Sequence, residues 1–112
     1  MKIVTPRPKT LVLGYAYRAV PDYRIIEAEI FKIKNSGYGL QLSISRDPNR
    51  LRKGEHHRID RRYRASTLDE LLWIGIDEVR TEPDKVFNQE VRPKLVMVIC
   101  EAFFLAQNAK TR

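Results

Sequence analysis

The chain has 112 residues, of which 43% are hydrophobic and 31% charged, and it carries a formal net charge of +7 at pH 7. That composition excludes a disordered chain, and the length is enough to bury a core without disulfides or metals. The single cysteine, Cys100, excludes an internal disulfide and a Cys-rich zinc site and fits a reducing compartment.

The charge is unevenly spread. Residues 1–65 hold fifteen Lys/Arg and six Asp/Glu, whereas residues 66–112 hold six and eight. One part of the chain is therefore expected to meet an anionic partner and the other to support it. Met1–Thr10 has no apolar run like a signal peptide. The longest apolar run, Leu95–Ala106, is broken by Glu101 and is too short to span a bilayer. The expectation is a cytoplasmic protein of one domain over 1–112.

Residues 1–9, with Pro6 and Pro8, read as an extended arm with a short strand at Lys2–Thr5. Thr10–Val20 alternates as a strand, with Leu11, Leu13, Tyr15 and Tyr17 on one face. Val12, Gly14, Ala16 and Arg18 fall on the other. Pro21-Asp22 ends it. Tyr23–Lys34 is a second strand, with Ile26, Ala28 and Ile30 opposite Ile25, Glu27, Glu29, Phe31 and Ile33. A helix is the rival reading there, and the β-branched isoleucines decide for a strand. Asn35-Ser36-Gly37 is hairpin chemistry, Gly37 being free to take positive φ. Tyr38–Ser45 is a third strand, with Leu40, Leu42 and Ile44 inward and Gln41, Ser43 and Ser45 outward.

Asp47-Pro48-Asn49 opens a loop to about Gly54, and Glu55–Arg64 reads as a fourth strand. With Ile59 and Tyr63 inward, Arg58, Arg62 and Arg64 form an outer row. Thr67, three residues before Glu70, predicts a capping box and a helix to about Arg80. Its stripe is Leu68, Leu71, Leu72, Gly75, Ile76 and Val79. Glu82-Pro83-Asp84 breaks that helix, and Lys85–Val91 allows one short helical turn. Pro93 opens a last helix over 93–107, striped by Leu95, Val98, Ile99, Ala102 and Ala106. Val96, Cys100, Phe103 and Phe104 widen its apolar surface, so it either fills the core or makes a homodimer contact through Pro93–Ala106. Asn108–Arg112 reads as a frayed tail. The predicted fold is α+β: a four-stranded antiparallel β-meander over 10–65, then two α-helices (66–80 and 93–107) packed on one face of the sheet.

Arg46–Arg64 is the chemically distinctive stretch, with seven arginines and one lysine against Asp47, Glu55 and Asp60. Arginine forks suit phosphate oxygens. The expected nucleic-acid contacts are Arg46, Arg50, Arg52, Lys53, Arg58, Arg61, Arg62, Tyr63 and Arg64, joined by Gln41 and Ser43 from the neighbouring strand. Ser45 adds a further hydrogen bond, and Tyr63, Tyr38 or His56 would stack on a base. The structural alternative is a solvated edge whose arginines pair with Glu27 and Glu29.

No helix is basic enough to read a major groove, which favours single-stranded DNA or RNA over duplex. A basic face docking on an acidic protein, as in a small adaptor or inhibitor, is the second reading. A small metal-dependent nuclease is the third. It would use His56 or His57 with Asp60 or Glu55, or Asp22 and Glu29 with Lys32. Adjacent strand histidines face apart, and so do Glu29 and Lys32, which argues against both sets. The expectation is therefore a protein without catalytic residues, metal or cofactor. Cys100 is expected to be a core thiol, and Trp73 to sit at the core edge or against a partner.

Overall fold

A computed structural model describes residues 10–20, 24–46, 49 and 58–110. Four strands, β1 (Thr10–Val20), β2 (Arg24–Ile33), β3 (Gly37–Arg46) and β4 (Arg58–Ala65), form one antiparallel sheet in the order β1-β2-β3-β4. Two helices follow, α1 (Leu68–Thr81) and α2 (Arg92–Lys110). The expected α+β meander with helices on one face is the observed fold. Helix α2 lies over β1 and β2, and α1 over β4 and β3.

Strand periodicity builds the core. Ala16, Ile26, Ala28, Ile30, Leu40, Leu42 and Ile44 point to the helices and are buried. They meet Leu68, Leu71 and Val79 of α1 and Leu95, Val98, Ile99, Ala102 and Ala106 of α2. Small residues set the helix–sheet distance. A Cβ on Gly14 would fall on the Ala102 carbonyl oxygen and within 2.9 Å of the Ala106 nitrogen, so the α2 backbone rests almost directly on β1. Phe87 and Val91, in the turns between the helices, are also fully buried, although the short apolar pattern there did not single out Phe87 as core.

The turn chemistry read from the sequence is present. Asn35 has φ 62° and Gly37 φ 85°, and Ser36 N–H donates to Ile33 O at 3.1 Å. Thr67 caps α1, its hydroxyl accepting from Glu70 N–H at 3.2 Å. Arg92 closes the other end of that helix, donating to the carbonyls of Arg80 (2.9 Å) and Glu82 (2.6 Å) and to Asp84 (2.7 Å). Those carbonyls have no partner within the helix, so a guanidinium fork supplies it.

Several expectations are corrected. The alternation of β1 breaks between Val12 and Gly14, where the pairing register shifts. Val12, opposite Phe31, therefore joins the face of Tyr15 and Tyr17, and Leu11, opposite Lys32, leaves it. Helix α2 continues through Asn108 to Lys110, so that part of the expected frayed tail is helical. Cys100 is exposed rather than a core thiol, because the buried stripe of α2 passes on its other side. Trp73 is 68% exposed, clear of the core edge. The expected strand at Lys2–Thr5 and residues 55–57 of the fourth strand lie outside the described residues.

Candidate functional site

The sheet face turned away from the helices is the candidate site. Strand register lays its side chains out in four rows across β1, β2, β3 and β4. They are Ala19, Ile25, Ser45, Arg58; Tyr17, Glu27, Ser43, Asp60; Tyr15, Glu29, Gln41, Arg62; and Val12, Phe31, Gly39, Arg64. The face is thus divided. Its β1–β2 half carries tyrosines and carboxylates, and its β3–β4 half carries amide, hydroxyl and guanidinium groups. Alternate residues of a strand stand about 7 Å apart, so Arg62 and Arg64 are near neighbours.

The arginine row does project from this face, as the alternation of β4 predicts, but its members differ. The Arg58 guanidinium is engaged by Asp60, Nε lying 3.0 Å from Oδ1, and its Nη2 donates to the Ser43 hydroxyl at 3.3 Å. Ser43 in turn donates to Asp60 at 2.7 Å and is buried. That hydroxyl first, and Arg58 second, hold the Asp60 carboxyl below the usual carboxylate range, partial burial opposing them. Arg62 donates through Nε to Gln41 Oε1 at 2.9 Å, a neutral partner, and it touches the Asp60 carboxylate only through a weaker charge interaction, the last of the causes that lower that group's pKa. Arg64 is exposed and makes no hydrogen bond or ion pair among the described residues. Neither Glu27 nor Glu29 pairs with the row. Glu27 accepts from the Tyr15 hydroxyl at 2.9 Å, and partial burial together with that bond raises the Tyr15 pKa.

Two expected contacts face the other way. Arg61 shares the helix side with Ile59 and Tyr63, and its Nε donates to Glu82 at the end of α1 at 3.0 Å. Tyr63 packs against the core with its hydroxyl buried and, among the described residues, unpartnered. Burial, then the nearby Glu82 and Glu78, push its pKa up to about 12. Tyr38 is buried as well, with the Lys32 ammonium 5.4 Å from its ring centre. Neither tyrosine can offer a face to a base. Arg46 ends β3, half-buried. Arg50, Arg52, Lys53 and His56 lie outside the described residues.

The ring that the open face does offer is Phe31. Its edge carbons occupy the space a Gly39 side chain would take, so the ring lies over Gly39, directly across from Arg64. An aromatic paired with a strand glycine in this way covers bare backbone. Phe31 was legible as an outward residue of β2, and its value lay in the glycine opposite, which register alone reveals. Tyr15 and Tyr17 add exposed rings 6.1 Å apart.

Among the described residues, no three His, Cys, Asp or Glu side chains converge to hold a metal. Glu29 and Lys32 stand on opposite sheet faces, and Asp22, Glu55 and His57 lie outside the described residues. Among the described residues, no helix is long and apolar enough to cross a membrane. No family model, no curated protein and no solved structure matches this chain.

Proposed function

We propose that this protein is a non-enzymatic nucleic-acid-binding module that lays a single strand of DNA or RNA across the β3–β4 half of its open sheet face. The observation that carries the reading is the Arg62–Arg64 pair. Both project from a face that no described element covers, no carboxylate among the described residues hydrogen-bonds or ion-pairs with either, and the Phe31 ring lies over Gly39, across from Arg64. Phosphates go to the guanidinium groups, a base stacks on the ring, and Gln41 and Ser45 supply polar contacts. Arg58 and Arg61, already joined to Asp60 and Glu82, contribute little, so the site is smaller than the basic stretch suggests. Docking on an acidic protein would use the same arginines, but it gives no role to the half-buried Phe31 ring beside them. We place the protein in the cytoplasm, a reading supported by its use of a single cysteine, which forms no internal disulfide.

Fluorescence anisotropy of a labelled single-stranded oligonucleotide against salt tests the proposal. Each phosphate contact on a single strand adds about 0.7 to the log–log slope, so Arg62→Ala with Arg64→Ala should flatten it by about 1.4. Both residues are exposed, so the variant should keep its circular dichroism. No binding at ~50 mM salt, or a variant that binds with the original slope, overturns the proposal.

A further inference from the structure

The two edges of the sheet are built differently. Strand β4 carries Arg58, Asp60, Arg61, Arg62 and Arg64, the kind of charged edge that resists pairing with another chain. Strand β1 has the opposite character over its eleven residues. Its one charged side chain, Arg18, is held by Glu101 of α2. Leu11 and Tyr17 are each 63% exposed, and Val12 and Tyr15 are exposed beside them. Helix α2 overhangs this edge and leaves Phe104 (66% exposed) and Leu105 uncovered. An open groove of about 620 Å³ runs between them, lined by residues 15–17 of β1 and by Cys100, Glu101, Phe104 and Leu105 of α2. Among the described residues, nothing pairs with the outer side of β1.

We propose that the occupant is a second copy of this chain, with β1 pairing antiparallel to β1 of that copy about a two-fold axis through Ala16. The sheet becomes eight-stranded and α2 packs beside its counterpart. An axis through a residue, rather than between two, keeps like faces together, so both helix layers lie on one side. Ala16 is small and faces the helices, and each Tyr15 comes opposite a Tyr17 on the open face. Charge selects the same surface. The β4 arginines of the two copies end at the far edges of the joined sheet, where a pair of cationic chains repels least. The area is adequate. An aromatic side chain buries 150–250 Å², so Tyr15, Tyr17 and Phe104 at their exposures alone offer roughly 300 Å². With the aliphatic side chains and the strand edge the surface approaches the ~800 Å² per partner of a standard interface. The contact expected from α2 alone thus becomes a contact in which β1 supplies the backbone pairing.

Sedimentation velocity of the full chain at roughly 100 µM, above the micromolar range of weak interfaces of this size, tests this independently of nucleic acid. The dimer mass is expected. Phe104→Glu with Leu105→Glu, and separately Tyr17→Lys, should each sediment as a monomer with unchanged circular dichroism, since all three side chains lie outside the core. Should the helix variant lose helical signal, Tyr17→Lys alone decides. A monomeric wild-type chain, or a dimer that persists in any folded variant, overturns the proposal.

Discussion

Adding one methyl group at Gly14 should damage this fold far more than adding one at Gly75. At Gly14 the new carbon meets only backbone: the Ala102 carbonyl oxygen, Ala102 C at 3.0 Å and Ala106 N at 2.9 Å. No side-chain rotation relieves that, so α2 must lift from β1. The lift loosens Leu95, Val98 and Ile99, all fully buried. Overpacking of this kind costs about 1–3 kcal/mol, and each Å³ of void opened adds about 24 cal/mol. Loss of unfolded-state entropy returns only about 0.4–1 kcal/mol. A net loss of about 2 kcal/mol is expected for Gly14→Ala. At Gly75 the new carbon meets the Leu40 Cδ2 methyl at 2.6 Å, and its next neighbours, on Ile99, lie at 3.7 and 3.8 Å. That single methyl must turn in a tight site, but replacing glycine by alanine within a helix gains about 1 kcal/mol. Gly75→Ala should therefore fall within about 1 kcal/mol of the parent. In urea titrations with a slope near 2 kcal/mol/M, Gly14→Ala should lower the midpoint by about 1 M and Gly75→Ala by less than about 0.5 M. Equal midpoints for the parent and Gly14→Ala would refute the account of how α2 is seated.

Two further expectations concern single hydroxyls. Tyr63→Phe removes a buried hydroxyl that has no partner among the described residues, so stability should be unchanged or higher by up to about 1 kcal/mol. Because the folded pKa of Tyr63 is raised to about 12, its contribution is complete below the unfolded value near 10 and is lost as pH rises through about 12. Chemical denaturation across that window should show a smaller alkaline decline in the phenylalanine variant. Ser43→Ala removes the main cause of the lowered Asp60 pKa, so the carboxyl should titrate at higher pH when followed by carbon NMR. Asp60 stabilises above its unfolded value of about 3.9, and that contribution is lost as pH falls through the lower folded value. The variant should hold less of it, and an unmoved Asp60 midpoint would show that the hydroxyl is incidental.

Much of the architecture was legible because periodicity is a local property. Alternation in Tyr38–Ser45 placed Leu40, Leu42 and Ile44 inward, and a 3.6-residue period placed Leu95, Val98, Ile99, Ala102 and Ala106 on one stripe. The Thr67 cap and the positive φ of Gly37 were legible for the same reason, since each is settled within a few residues. The extra residue in β1 was not, because nothing in Thr10–Val20 alone says where its partner strand slips.

The site was legible only as a direction. The sequence by itself determined that Arg58, Arg62 and Arg64 leave the sheet on the side opposite Ile59 and Tyr63, because successive strand residues must point to opposite faces. Which of them is left without a carboxylate hydrogen-bonded to it was decided by tertiary structure. Asp60 turns to Arg58 and Ser43, the end of α1 brings Glu82 to Arg61, and Gln41 meets Arg62 with no charge of its own. Those partners sit on other elements or depend on pairing register, and the field at a guanidinium is set by what lies within a few ångströms in space, wherever it lies along the chain.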